Sequence, residues 1–329
     1  MNDIDVCYES DPLKPILMAV RRIHANAFLY KKYQNEDLLT NEEVTSIQEN
    51  KLASEVQLIQ FLNEVFIPTN PFNDIVYEHK KVTINDIFSI ALRYTNILDN
   101  KSTLSFAKWS SRKEILFSKV EAVRKTQKDS SGHKVRFRDL YIMKEVYRDN
   151  VASAIIDYLP NYTKYVKTLI SEGYQLVGYA RKSPGTEDDT TRAKLLQRMV
   201  NNLKERSYAE KVFISTKSLS NEAITSRDMN SNDSIINMLD KVDGNTQEML
   251  SVISELDKVC LIVLDYSGLS TNCLDIKHFI RNNVNIKKII IDCYPFGEGV
   301  ISYDRDSILE DSEVLNKFNS RNKYRQRSK

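Results

Sequence analysis

Four short apolar stretches decide the fold: QLVGYA at Gln175–Ala180, KVFIS at Lys211–Ser215, VCLIVL at Val259–Leu264 and IKKIIIDC at Ile286–Cys293. Val259–Leu264 is apolar without a break, as expected of a strand covered on both faces. Helical spacing fills the intervals. Leu195, Leu196, Met199, Val200 and Leu203 form one stripe within Thr190–Glu205, and helices are also predicted over Ile235–Val242, Thr246–Leu256 and Leu274–Arg281. A helix over Tyr162–Ser171, closed by Gly173, leads into the first strand. This β-α-β-α-β-α-β order predicts an α/β domain over residues 161–300 with a largely parallel sheet flanked by helices.

Upstream, residues 10–160 read as an all-α N-terminal domain. Leu13, Leu17, Val20, Ile23 and Phe28 suggest a first amphipathic helix, and Thr40 with Glu43 fits a capping box. Leu52, Val56, Ile59 and Leu62 suggest the next helix, ending before Pro68. Thr83 or Asn85 is expected to cap a helix carrying Ile87, Ile90, Ala91 and Tyr94, with further helices over Trp109–Lys125 and Arg138–Tyr158. Lys125–Lys134 is the most linker-like stretch, and residues 301–329 read as a polar, basic tail.

The chain has 329 residues, 41% apolar and 28% charged, with only 8 Gly and 7 Pro, which excludes collagen-like and low-complexity architectures. The longest apolar run, Val259–Leu264, is far below the ~20 residues of a membrane span, so no membrane association is expected. Met1–Ser10 carries Asp3, Asp5 and Glu9 and lacks the pattern of a secretory signal. Cys7, Cys260, Cys273 and Cys293, like His24, His79, His133 and His278, show no metal-site spacing, so no metal or other cofactor is expected. Reduced thiols fit an intracellular protein, nuclear if eukaryotic and cytoplasmic otherwise.

Net charge is 47 − 45 = +2, yet Lys108–Arg138 holds ten Lys/Arg against three Asp/Glu. Within it Lys108, Arg112, Lys113, Arg124, Lys125, Lys134, Arg136 and Arg138, interleaved with Trp109 and Phe137, are candidate contacts to double-stranded DNA. The bland alternative is a solvated charged face.

In open α/β sheets, sites lie beyond the carboxyl ends of the strands. There this sequence places Tyr179, Arg181, Lys182 and Ser183, then Ser215 and Lys217 with Arg227 further along the loop, then Asp265. A serine two residues from an arginine suits a phosphodiester: the hydroxyl is a neutral nucleophile, and a guanidinium grips phosphate oxygens in pairs. Each residue also has a purely structural reading. Tyr179 is then a half-buried strand residue, Ser183 the start of a Pro184-Gly185 turn, Asp265 a cap, and Arg227-Asp228 an exposed pair. A nucleotide hydrolase is disfavoured, since no phosphate-binding glycine loop is present.

From Tyr174 to about Pro295 the chain resembles the catalytic domain of serine recombinases, the resolvase/invertase family. The resemblance rests on Tyr179-x-Arg181-x-Ser183, the V-F-x-S strand, the Ser/Lys-rich loop ending in Arg227, and Leu264-Asp265-x-x-Gly268. The whole chain also resembles a group of uncharacterised resolvase-like fungal proteins, which suggests descent from a mobile element. The resemblance implies a resolvase-like fold and DNA recombination through a covalent phosphoserine at Ser183, with Arg181 on the scissile phosphate. It further implies Tyr179 in support, Arg227 as the loop arginine, Asp265 as the aspartate of the third strand end, and assembly as a homodimer or homotetramer. The departures are specific. Tyr266 and Leu269 stand where the family places arginines, Ser215 where it has an acid, and Arg192 near its helical glutamine. Loss of one such arginine in phosphoryl transfer can cost roughly 10³–10⁵ in rate. Two functions are therefore carried forward, a recombinase that cleaves DNA and a catalytically degenerate, recombinase-derived module that binds DNA or protein. Lys182, Arg192 and Lys217 are the cations available as substitutes.

Overall fold

The computed structural model describes residues 51–128, 134–229, 234–294 and 299–319, with the side chains of 124–135 outside that description. The expected helix over residues 13–28 and the Thr40 capping box lie outside the described residues. The chain divides into two compact units between Pro160 and Asn161. No described helix is long and apolar enough to cross a membrane.

The unit that ends at Pro160 is not all-α in its described part. Its helices are α1 (Glu55–Val65), α2 (Ile84–Tyr94), α3 (Thr103–Arg112) and the first part of α4 (Glu145–Ser171). They share the unit with strands β1 (Phe66–Ile67), β2 (Tyr77–Thr83), β3 (Val123–Lys128) and β4 (Lys134–Met143). The order is β1-β4-β2, with β3 also on β4, and every pairing is antiparallel. The expected helices over Trp109–Lys125 and Arg138–Tyr158 are therefore replaced in part by strands, and Lys125–Lys134 falls in the β3–β4 pair. The physical reason lies in β4, where Leu140 and Ile142 alternate with Asp139 and Tyr141 and face a core that includes Phe66, Phe106 and Trp109. Thr83 caps α2 as expected, in a reciprocal pair with Asp86. Ser54 does the same for α1 with Gln57.

The unit from Asn161 onward is α/β. It begins with the remainder of α4, a single helix that passes through Pro160 instead of the separate helix expected over Tyr162–Ser171. Tyr162, Val166 and Leu169 anchor this half by burial, which offsets the one backbone bond a proline forfeits. There follow β5 (Gln175–Arg181), α5 (Asp189–Asn201), β6 (Lys211–Ser215), α6 (Thr246–Glu255) and β7 (Val259–Val263). The unit continues with the short α7 (Tyr266–Leu269), α8 (Cys273–Asn282), β8 (Ile286–Asp292), β9 (Val300–Asp304), α9 (Arg305–Glu310) and α10 (Ser312–Asn319). The sheet order is β6-β5-β7-β8-β9, parallel throughout except for the antiparallel β8–β9 pair.

One face of the sheet presents Val177, Tyr179, Leu261, Val263, Ile289 and Ile291 to a core shared with Met249, Ile253, Phe279, Ile308 and Phe318. On the other face β5 runs close to its neighbours, and a Cβ at Gly178 would lie 3.0 Å from Ala209 Cβ and 3.2 Å from Leu203 Cβ. Two expectations are corrected in this unit. Ile235–Val242 contains only a short 3-10 turn at Ile236–Met238. Residues 300–319 are not a tail, because Ile301, Tyr303, Ile308, Leu315 and Phe318 belong to the core. The outer side of β6 is closed by a loop: Asp243 N–H donates to Val212 O at 2.8 Å, Ile214 N–H to Gly244 O at 3.0 Å, and Val212 N–H to Asp243 Oδ2 at 2.7 Å.

Candidate functional site

The strands β5, β6, β7 and β8 are parallel, so their carboxyl ends share one edge of the sheet. Arg181 is the last residue of β5 and lies one rung beyond Tyr179 on the same face. Its side chain is 1% exposed. Nη1 donates to Ser183 Oγ at 2.9 Å and to Ser218 O at 2.5 Å, and Nη2 donates to Ser267 O at 2.7 Å. The guanidinium thus ties the end of β5 to the loop after β6 and to α7. A buried charge is tolerated because carbonyl dipoles replace the lost water.

Ser183 is half-buried at the rim, held at two points. Its hydroxyl oxygen accepts from Arg181, and its carbonyl accepts from Arg192 Nη1 at 3.0 Å. Arg192 lies on α5 and is 2% exposed. Its Nη1 also donates to Thr216 O at 2.7 Å, and its Nη2 pairs with Glu187 Oε1 at 2.8 Å. The same Glu187 oxygen lies 2.8 Å from Lys182 Nζ. The hydrogen bond from Lys182, reinforced by local backbone and by the charge of Arg192, holds the Glu187 carboxyl below the usual range for glutamate. Asp188, next in sequence, caps α5 by accepting from Thr191 N–H at 2.7 Å.

Beneath this rim lies a second polar layer. Tyr179 is fully buried, its hydroxyl 3.1 Å from Thr246 Oγ1 and accepting from Arg227 Nη1 at 3.2 Å. Arg227 is not the exposed partner of Asp228 but is itself fully buried. Its Nη1 donates to Leu269 O at 2.6 Å, and its Nε and Nη2 donate to Glu222 O at 3.2 and 2.8 Å. Asp228 has a left-handed backbone, φ 58°, which aspartate adopts more readily than most residues. Its carboxylate accepts from Ser215 Oγ at 2.9 Å and from both the amide and the hydroxyl of Thr246. A carboxylate therefore meets the end of β6 although Ser215 itself carries none. Asp265 caps α7, accepting from Ser267 Oγ at 2.7 Å and Gly268 N–H at 2.6 Å.

The structure thus brings Arg181, Ser183, Lys182 and Arg192 together, with Glu187 among them. Tyr179 and Arg227 form the layer below, and Asp265 is spent on a cap. Tyr266 and Leu269, two of the four positions that depart from the recombinase pattern, serve packing. The Tyr266 hydroxyl lies 2.6 Å from that of Tyr303 and its ring meets Phe318 edge-on, while Leu269 is fully buried. Sequence reasoning missed Glu187 and Thr246, whose spacing does not mark them, and read Asp228 only as the exposed partner of Arg227.

Lys217 is exposed, 3.5 Å from Asp189 Oδ1. The remaining basic candidates belong to the other unit. Lys108 and Arg112 are exposed on α3, and Arg136 is exposed on β4. Lys113 pairs with Glu55 at 2.6 Å. Arg138 Nε donates to Val120 O at 3.1 Å, and burial pulls its pKa down. Arg124, Lys125 and Lys134 lie on β3 and β4, and their side chains are outside the description. Trp109 is only 4% exposed, donates to Glu55 Oε1 at 2.8 Å and stacks on Phe106, so it is a core residue rather than a platform for bases. Among the described residues no group of three His, Cys, Asp or Glu is placed to hold a metal ion. No protein-family model, curated protein or solved structure matches the chain.

Proposed function

We propose that this is a serine-recombinase-like, DNA-binding protein that seats a backbone phosphate at Ser183 and has lost strand cleavage. The observation that carries the reading is the bond from the buried Arg181 guanidinium to Ser183 Oγ. A hydroxyl whose oxygen accepts from a guanidinium has its own proton left to donate outward, which suits an anionic oxygen. The support is placement rather than net charge: Arg181, Lys182, Arg192, Lys217 and Arg227 stand against Glu187, Asp188, Asp189, Asp228 and Asp265, which leaves 5 − 5 = 0, but Arg181 is the group that meets the Ser183 hydroxyl. The same geometry supports the loss of cleavage. Transition-state charge in phosphoryl transfer needs positioned cations, and Arg227 is committed to Tyr179 and two carbonyls while Tyr266 and Leu269 serve the core.

Cleavage remains the second reading, favoured by the same Arg181–Ser183 contact. In it Ser183 Oγ bonds to phosphorus as the bond from phosphorus to the sugar oxygen breaks, the serine's proton balances the one taken up by the departing sugar oxygen, and the strand stays joined to the protein. Filter binding of mixed-sequence duplex DNA across a salt series, with parallel incubations in chelator run on denaturing gels, separates the two. The expected result is binding that weakens steeply with salt, drops on Ser183→Ala or Lys182→Ala, and gives no covalent adduct. An adduct formed by the wild type and absent from Ser183→Ala would establish cleavage. Absence of binding at every salt concentration would remove the nucleic-acid reading.

A further inference from the structure

We propose that Glu187 is a resident stand-in for phosphate, a side chain that occupies the anion seat beside Ser183 and must swing out before a DNA phosphate can enter. The inference rests on the DNA-binding reading and adds its regulation.

One carboxylate oxygen of Glu187 is shared by Lys182 Nζ and Arg192 Nη2, each at 2.8 Å. That is how a phosphate oxygen would be held by two cations. Arg192 keeps its place without Glu187, because its Nη1 is fixed independently by Ser183 O and Thr216 O. Departure of the carboxylate would therefore leave Nη2 without its anion, on the same guanidinium whose Nη1 holds the Ser183 carbonyl. The carboxylate has a route out: it sits at the rim with 18% of its side chain exposed, on the turn between β5 and α5, and the cap of α5 is the neighbouring Asp188, so the helix does not depend on it. The carboxylate folds back over Gly185, where any Cβ would collide with Glu187 Oε2, so this glycine creates the space the carboxylate uses.

Two substitutions release the seat by different physics. Glu187→Gln removes the charge. Gly185→Ala keeps net charge constant and displaces the carboxylate sterically, and the residue is not in the left-handed region, so alanine is compatible with its backbone. Glu255→Gln, at the far end of α6 from Thr246, matches the charge change away from the site. Binding of mixed-sequence duplex DNA is measured by fluorescence anisotropy across a salt series, alongside each variant's melting temperature. The expected result is about tenfold tighter binding for Glu187→Gln and about fivefold for Gly185→Ala, with Glu255→Gln within about twofold of wild type. The salt slope of Glu187→Gln should steepen by about one phosphate contact. Wild-type binding that depends on Ser183 but is unchanged by both releasing variants would overturn the stand-in and leave the DNA-binding reading intact. A lower melting temperature with no gain in affinity would mark Glu187 as a brace and overturn it equally. No binding by any variant would end both proposals.

Discussion

Arg227 offers the sharpest separation between a side chain that holds the fold and one that meets a ligand. Its substitution by alanine strips the donor from Leu269 O, from Glu222 O and from the Tyr179 hydroxyl at one stroke. A buried polar group left without its partner costs about 1–3 kcal/mol, and breaking a buried charged cluster from one side about 3–5 kcal/mol in all. The upper end is offset where water reaches the loop carbonyls, so about 3–4 kcal/mol is expected. For a unit of this size each kcal/mol moves the melting temperature by about 2–4 °C, which gives a fall of about 10 °C. The chain has two compact units, so a single melting curve mixes them. Hydrogen exchange followed by mass spectrometry resolves the change by segment. Protection should fall in peptides covering residues 216–229 and 264–270 and stay constant in peptides of β2 and β4. If Arg227→Ala melts with the wild type and loses only DNA affinity, Arg227 is a ligand-contacting residue and the structural assignment is refuted.

Other consequences can be measured separately. Leu269→Arg, which would introduce an arginine where the recombinase pattern has one, should destabilise the protein by several kcal/mol rather than confer cleavage, because the site is fully buried among apolar side chains; a thermal melt unchanged from wild type would contradict this. Burial pushes the Cys260 thiol up to about 12, so in the native protein its peptide should resist alkylation at pH 8 while that of the half-buried Cys273 is labelled; equal labelling of both would refute the assignment. Glu187 has a folded pKa below its ordinary value, so its bridge contributes stability fully above about pH 4.5 and loses it as pH falls through the folded value. The pH dependence of the melting temperature should therefore flatten slightly on the acid side in Glu187→Gln, and superimposable wild-type and variant profiles would show that the bridge contributes nothing.

The parallel sheet was legible because its strands are nearly pure. All five residues of β7 are buried, and no helical spacing competes with such a run. The antiparallel strands were hidden by charge. β2 reads YEHKKVT and β4 carries Arg136, Arg138 and Asp139, so half-exposed alternation was lost among long polar side chains. In α9 and α10, composition outweighed periodicity, although Leu315 and Phe318 are spaced to share a face of α10 and Ile308 is buried on α9. At the site, the contact between Arg181 and Ser183 is nearly local, and a spacing of two suggested it. The direction of Arg227 depends on Leu269, 42 residues away, and no spacing rule reaches that far. Glu187 was invisible for another reason. An acid in a polar turn looks like any other until the fold sets two cations against it.

The loop that closes β6 removes one of the two borders at which this sheet could be extended. An outermost strand ordinarily offers its backbone as a template on which another chain can zip. Here the outward amides of Val212 and Ile214 and the Val212 carbonyl are already spent on Asp243 and Gly244. Self-association by extending the sheet past this border would first require that loop to peel away, so crowding alone gives it no foothold. Asp243→Ala would free only the Val212 amide and leave the two backbone seams in place, so the margin should stay shut.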